Sequence, residues 1–237
     1  MSAPLLAIDT AQGALSAAVV NGANGTERVL AHHFELRNRG HAEELMGVIA
    51  KVLDEAHLTP ADLGALAVTI GPGTFTGLRV GLAAARGLAL ARALPLVGVT
   101  TLEAIAAPVE AEADEVIAAV FDARRDEVYL QVFDASHRAL TRPMIVPLAE
   151  ALAHVPGARV VAVGTGAELM AAQIAETPDL TCRLADSPAQ PDALIVARLA
   201  QVQLKERGPD HFRRAPAPLY LRAPDAKLPG GLDPVLG

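Results

Sequence analysis

Apolar and polar positions along this chain follow two periods, and the switches between them outline its elements. Leu5-Leu6-Ala7-Ile8 is a continuous apolar run ending at Asp9, which predicts a buried strand closed by a carboxylate. Thr10 to Ala14 reads as a turn, Leu15 to Val20 as a returning strand, Asn21 to Gly25 as a second turn and Val29 to Leu36 as a third strand. From about His41 to Ala56 the period lengthens: Leu45, Ile49, Val52 and Ala56 share one helical face, and Glu44, Lys51 and Glu55 another. Pro60 breaks the chain after that helix. A strand from Ala65 to Ile70 then enters the corner Gly71-Pro72-Gly73, which opens a helix reaching about Arg92. Leu96 to Val99 is a short strand, and Thr100 or Thr101 caps one more helix.

Near Asp114 the pattern restarts. Val116 to Phe121 is a strand ending at Asp122, Ala123 to Asp126 a turn, and Glu127 to Phe133 the return. Arg159 to Val163 runs into Gly164-Thr165-Gly166 and a helix from Ala167 to Glu176. Strand-Asp-turn-strand thus occurs at Asp9 and Asp122, and strand-Gly-x-Gly-helix at Gly71 and Gly164, in the same order each time. This is a weak internal duplication, and it implies an α/β fold of two similar lobes. The expected organisation is an N-terminal lobe over 1–108, a C-terminal lobe over 109–207 and a proline-rich, partly disordered tail over 208–237. A closing helix runs from Asp192 to Lys205, and Leu219-Tyr220-Leu221 docks back on the body or on a partner.

The corner of the first lobe does not fit the common phosphate loops. It holds no lysine, as a Walker loop needs, and Thr76 stands where the dinucleotide fingerprint needs glycine. The helix after it is apolar nearly all round, with Gly77, Gly81 and Ala85 forming a ridge of small residues. Two readings fit: a helix facing a partner, or one buried between sheet and neighbour. Arg79 lies in its first turn, where the helix dipole disfavours a cation, so a carboxylate is its expected partner, Glu43 or Glu44 or one on another chain.

Composition narrows the function classes. The 237 residues carry a formal charge of −7, have no Trp and are 3% aromatic, a poor match for a phosphate backbone or a stacking surface. Cys182 is the only cysteine, which suits a reducing cytosol. Met1-Ser2-Ala3-Pro4 has no basic n-region, and Arg79, Arg86, Arg92 and Pro95 interrupt the most apolar stretch. A cytoplasmic protein that does not span a membrane is expected.

Asp9 and Asp122 end matching strands and in a two-lobed fold would face each other across a cleft. With Thr10, Gly164 and Gly166 they outline a vestigial nucleotide cleft. The alternative for each aspartate is a turn residue bonding its own backbone. The second turn, Ala123-Arg124-Arg125-Asp126, lacks the glycines of a phosphate cradle. No two histidines stand four apart: His41 would need a ligand at Leu45. There is no Gly-x-Ser-x-Gly elbow, and Cys182 has no histidine near it in sequence. No catalytic residue, metal ligand or cofactor is expected.

Leu6-Ala7-Ile8-Asp9-Thr10, the motif Gly71-Pro72-Gly73-Thr74-Phe75-Thr76-Gly77-Leu78-Arg79-Val80-Gly81 and the tail Pro218-Leu219-Tyr220-Leu221-Arg222 together resemble the TsaB (YeaZ) family, over essentially the whole chain. That family belongs with TsaD to the glycoprotease-like superfamily, whose fold is the duplicated actin-like, sugar-kinase-like ATPase architecture. The resemblance implies a non-catalytic partner of TsaD in forming N6-threonylcarbamoyladenosine at position 37 of tRNAs that read codons beginning with A. TsaE, an ATPase, is the further partner, and tRNA is met indirectly. TsaD carries a metal in a His-x-x-x-His helix, and His41-Ala42-Glu43-Glu44-Leu45 lacks the second ligand. Family partners dock through first-lobe helices, so Leu45, Ile49, Val52, Gly77, Leu78, Gly81, Leu82 and Ala85 are the expected interface, with Gly71, Pro72, Gly73 and Arg79 shaping the loop beneath it. A homodimer through the same helices is expected when the partner is absent. The alternative is a weak ATPase or a metallopeptidase acting alone.

Overall fold

The computed structural model describes residues 3–22 and 27–222. Its centre is a strand buried on both faces. In β1 (Leu5–Asp9), Leu6 and Ile8 point to one side and Leu5 and Ala7 to the other. Both sides are covered, so the strand reads as an unbroken apolar run. β1 pairs antiparallel with β2 (Ala14–Asn21), which pairs with β3 (Arg28–Leu36). On its other edge β1 runs parallel to β4 (Ala65–Gly71), and β4 to β5 (Leu96–Thr100). Parallel neighbours need crossovers. α1 (His41–Glu55) supplies the first and α2 (Phe75–Arg92) the second.

The second half repeats the plan. β6 (Glu115–Arg124) pairs antiparallel with β7 (Glu127–Asp134) and parallel with β9 (Arg159–Val163), with β8 (Met144–Pro147) and β10 (Thr181–Leu184) at the edges. The sheet orders are β3-β2-β1-β4-β5 and β8-β7-β6-β9-β10, the same topology twice. This is the duplicated α/β architecture of two lobes. The copies differ in their crossovers: the 3₁₀ turn Leu148–His154 stands where the first lobe has α1, while α4 (Ala167–Ala175) joins β9 to β10. β8 and β10 are four residues each and escaped sequence reading.

Two helices lie across the expected lobe boundary. α3 (Thr101–Ala106) is capped by a Thr100–Glu103 box, worth about 1 kcal/mol. It packs Leu102, Ile105 and Ala106 against Ile117 and Phe121 of the second sheet. α5 (Ala193–Arg207), expected to close the C-terminal lobe, instead lays Ala193, Val196, Ala197 and Ala200 on the first sheet beside Leu5, Ala7 and Val97. Periodicity marks a helix's apolar face but not which sheet receives it.

The tail is described as far as Arg222. After α5 comes a 3₁₀ turn, Pro209–Phe212, then extended chain whose Leu219 N–H donates to the Ile70 carbonyl at 2.7 Å. Leu219 to Leu221 therefore dock on the body. The disorder expected of the tail concerns residues 223–237 as well, which lie outside the described residues.

Candidate functional site: the interlobe cleft

A cleft of about 670 Å³ opens between the lobes. The first lobe contributes Gln12, Thr74 and Phe75, the second Asp122, Arg124 and Tyr129, and the tail Tyr220 and Arg222. Of the five residues expected to outline a nucleotide cleft, Asp122 lines this space. Asp9, Thr10, Gly164 and Gly166 lie beneath its walls.

The glycine motif explains the first lobe. Thr74 caps α2, its hydroxyl accepting from Gly77 N–H at 3.1 Å. α2 then descends onto the β1–β2 turn. A Cβ at Gly73 would strike the Ala11 carbonyl, one at Gly77 the Thr10 carbonyl, and one at Gly81 would sit 2.6 Å from Thr10 Oγ1. The contact is bonded throughout: Thr10 Oγ1 donates to Gly77 O at 2.7 Å, Thr74 N–H to Ala11 O at 2.8 Å, and Gln12 Nε2 to Pro72 O at 3.3 Å. The glycines are an internal clasp that seats a helix on a turn. Gly71, at φ 113°, and Pro72, whose carbonyl also accepts from Thr101 Oγ1, complete the loop.

Asp9 is sealed on the other face of the sheet, the side of Leu5 and Ala7 on which α5 lies. Its Oδ1 accepts from Thr69 Oγ1 at 2.5 Å and Ala11 N–H at 3.2 Å, while Oδ2 has no partner among the described residues. Burial pushes its carboxyl up to about 7, against the lowering effect of those hydrogen bonds. Asp9 therefore does not face Asp122 across open space: its side chain is fully buried beside Thr69.

Asp122 is occupied locally. Its Oδ1 accepts from Arg124 N–H at 2.7 Å and its Oδ2 from the Arg124 guanidinium at 3.2 Å, while its own N–H donates to Thr165 Oγ1. This is the turn role. The hairpin beyond it holds Arg124, Arg125 and Asp126 at φ 65°, 58° and 58°, three successive left-handed residues with no glycine, a geometry that costs on the order of 1 kcal/mol per residue. Gly164 and Gly166 let α4 start hard against β6: a Cβ at Gly166 would lie 2.7 Å from Val120 Cγ1 and one at Gly164 would meet the Val120 carbonyl. Neither offers backbone to the cleft.

The expected partner surface needs correction. Leu45, Ile49, Val52, Leu78, Leu82 and Ala85 are buried within this chain, Leu82 at 3% exposure, because they are the faces of α1 and α2 that pack on the first sheet. Gly77 and Gly81 are buried against the turn. The apolar residues on the open sides of these helices are others: Met46 is 55% exposed and Leu90 86%. Small residues Gly47, Ala50, Ala83 and Gly87 lie exposed on the same helices. Arg79 also finds a different partner. Its guanidinium lies 3.4 Å from the Phe75 ring centroid and its Nε donates to the Tyr220 hydroxyl at 3.3 Å, with no carboxylate engaged among the described residues.

His41 begins α1 and bonds the Ala14 carbonyl at 3.1 Å. Cys182 sits on edge strand β10, where burial raises its thiol. Among the described residues no three His, Cys, Asp or Glu side chains converge as metal ligands would, and no helix is long and apolar enough to cross a membrane. Sequence reasoning missed Gln190, whose Oε1 accepts from Gly13 N–H at 2.9 Å, and the cleft role of Tyr129 and Arg222. The one available signal was that Tyr129 and Tyr220 are the chain's only tyrosines.

Residues 33–229 match the family model described as TsaD, tRNA N6-adenosine threonylcarbamoyltransferase. The chain is 42% identical over 102 residues to the tRNA threonylcarbamoyladenosine biosynthesis protein TsaB of Escherichia coli K12, a match spanning 43% of this chain and 42% of that protein. A tRNA N6-adenosine threonylcarbamoyltransferase of Clostridium botulinum is 38% identical over 111 residues, 42% of this chain and 33% of that protein. These matches span less than half the length of the curated relatives. Among solved structures, a Pseudomonas aeruginosa protein similar to peptidase YeaZ superposes with a TM-score of 0.76 at 28% identity, covering 93% of this chain and 100% of that one. YeaZ from the same organism gives 0.74 at 27%, with the same coverage. The chain is a homologue of TsaB/YeaZ and belongs to the tRNA N6-adenosine threonylcarbamoyltransferase (TsaD) family.

Proposed function

We propose that this chain is a non-catalytic partner of TsaD in the formation of N6-threonylcarbamoyladenosine in tRNA, acting in the cytoplasm with TsaE as a further subunit and meeting tRNA through the assembly. One observation carries the reading. Each group that a nucleotide-binding relative would turn toward ligand is engaged inside the fold: Asp9 buried against Thr69, Asp122 on its own turn, and the glycines on helix seating. A net charge of −7 adds that another subunit supplies most of the attraction for tRNA.

The docking face we assign is the open side of α1 and α2, with Met46 and Leu90 as its large apolar residues and Gly47, Ala50, Ala83 and Gly87 permitting close helix approach. Copurification with TsaD tests it. A stable heterodimer is expected, lost in Leu90→Glu while the chain stays folded. If Leu90→Glu and Met46→Glu both bind TsaD as the parent does, the face is wrong. The reading as a weak ATPase or metallopeptidase would gain from tight ATP–magnesium binding by calorimetry, or from threonylcarbamoyl transfer or peptide hydrolysis by this chain alone.

A further inference from the structure

The chain crosses between lobes twice, after α3 and before α5, and a third connection is made without any need of chain continuity. Beyond the turn at Pro209–Phe212, residues 213–222 run extended along the first lobe. Arg213 Nη1 donates to the Ala93 carbonyl at 3.1 Å and Arg86 Nη2 to the Pro216 carbonyl at 2.5 Å. Two glycines make the bed. A Cβ at Gly98 would lie 2.8 Å from Pro216 Cβ, and one at Gly71 would lie 2.7 Å from the Leu219 carbonyl. Leu219 then bonds Ile70, and the Tyr220 ring packs on Phe75 with centroids 5.7 Å apart. The next two residues leave the first lobe. Arg222 Nη1 donates to the Ala123 carbonyl at 2.8 Å, and its Nη2 pairs with Glu127 at the start of β7.

We propose that residues 213–222 are an interlobe strap, and that the Arg222–Glu127 pair is the clasp that sets how far the cleft opens. The segment is anchored along its length to one lobe and ends on the other. Leu219 to Arg222 themselves form a wall of the cleft. The pair is partly shielded, with side-chain exposures of 25% and 35%, so water screens it less than a surface pair. Its second bond goes to a backbone carbonyl of the hairpin, so Arg222 grips the second lobe at two points on one turn. Release of the clasp leaves the lobes joined through the two covalent crossings and frees the Tyr220 wall to move with the first lobe. The strap does not depend on the partner proposed above, and its test needs only this chain.

Spin labels at Asp54→Cys on α1 and Glu168→Cys on α4, both exposed, in a Cys182→Ser background diluted with unlabelled protein, report the interlobe distance. Arg222→Ala should broaden the distance distribution and lengthen its mean. Acrylamide quenching of Tyr129, followed in a Tyr220→Phe background, should rise at least twofold. Glu127→Gln should do the same from the other lobe, and the exchange Arg222→Glu with Glu127→Arg should restore part of the narrow distribution. Far-UV circular dichroism confirms that each variant is folded, and should Arg222→Ala fail to fold, Glu127→Gln decides alone. Distance distributions and Tyr129 quenching that match the parent in the folded variants would overturn the strap.

Discussion

Thr10 Oγ1 donates to the Gly77 carbonyl at 2.7 Å, so a side chain of the first turn closes on α2 at a position with no room for a Cβ. Gly77→Ala would push a methyl into the Thr10 carbonyl, where backbone faces backbone and no flexible side chain can yield. We expect a loss on the order of 2–4 kcal/mol by urea denaturation. Gly87, on the exposed side of the same helix, has nothing within 4 Å of the place a methyl would take, and it is the control. Gly87→Ala should stabilise by about 0.5–1 kcal/mol, since alanine orders more cheaply in a helix interior. Equal effects at the two sites would refute the clasp.

The buried Asp9 carboxyl gives stability a pH dependence of definite sign. In the unfolded chain it ionises near 3.8, and in the fold near 7. The folded state therefore holds a proton that the unfolded state has lost, so stability is fully present below pH 4 and declines as pH rises to about 7. Asp9→Asn removes the titration and keeps an acceptor for Thr69. Its stability relative to the parent should rise between pH 4 and pH 8 by on the order of 2–4 kcal/mol. Thermal melts across that range check it. A parallel pair of curves would mean that Asp9 finds a counter-charge.

Glu115 behaves in the opposite way. Arg183 grips it with two hydrogen bonds, of 2.9 and 2.7 Å, the Glu112 N–H adds a third, and its carboxyl is held down to about 2. This contribution is present above the ordinary glutamate value of 4.5 and is lost as pH falls through about 2. Arg183→Met should cost about 2 kcal/mol at neutral pH, a figure tempered by the half-exposed arginine. The parent and variant should converge as pH falls to about 2, where the parent's Glu115 takes up its proton as well. A difference that persists in acid would locate the loss in packing rather than charge.

The fold was largely legible in the sequence, and the functional surface was not, for reasons that individual residues make plain. β1 and β9 were found because their apolar runs are bounded by Asp9 and Gly164, and α1 because Leu45, Ile49 and Val52 recur at helical spacing. β8 and β10 were missed because a four-residue edge strand carries little pattern of its own. The repeated order of strands, aspartates and glycine pairs disclosed the two lobes. The same repeat shows where a carboxylate stands in the chain but not how deeply the fold buries it, as it does Asp9. The residues expected at an interface prove to be buried within the chain, for a related reason. Leu45 and Leu82 lie on the faces where the apolar residues of their helices cluster, and that face is ordinarily the one the helix's own sheet claims. The face left open carries Met46, Leu90 and small residues, and it is the one we propose for the partner.

That distinction makes a paired prediction on one helix. Leu82 and Leu90 stand eight residues apart on α2, one at 3% exposure inside the first core and the other at 86%. Leu82→Ala should cost about 2–5 kcal/mol, as cavity-forming core substitutions do, with most of that penalty recovered in Leu82→Met. Leu90→Ala should shift stability by less than about 0.5 kcal/mol, because water already surrounds it. Binding to TsaD should reverse the ranking: Leu82→Ala, assayed where it is still folded, should bind within about twofold of the parent, and Leu90→Glu should bind at least tenfold more weakly, about 1.4 kcal/mol. Denaturation and calorimetry on the same samples separate the two effects. If Leu82→Ala weakens binding in step with Leu90→Glu, the partner reads the packing of the core and not the open face of the helix.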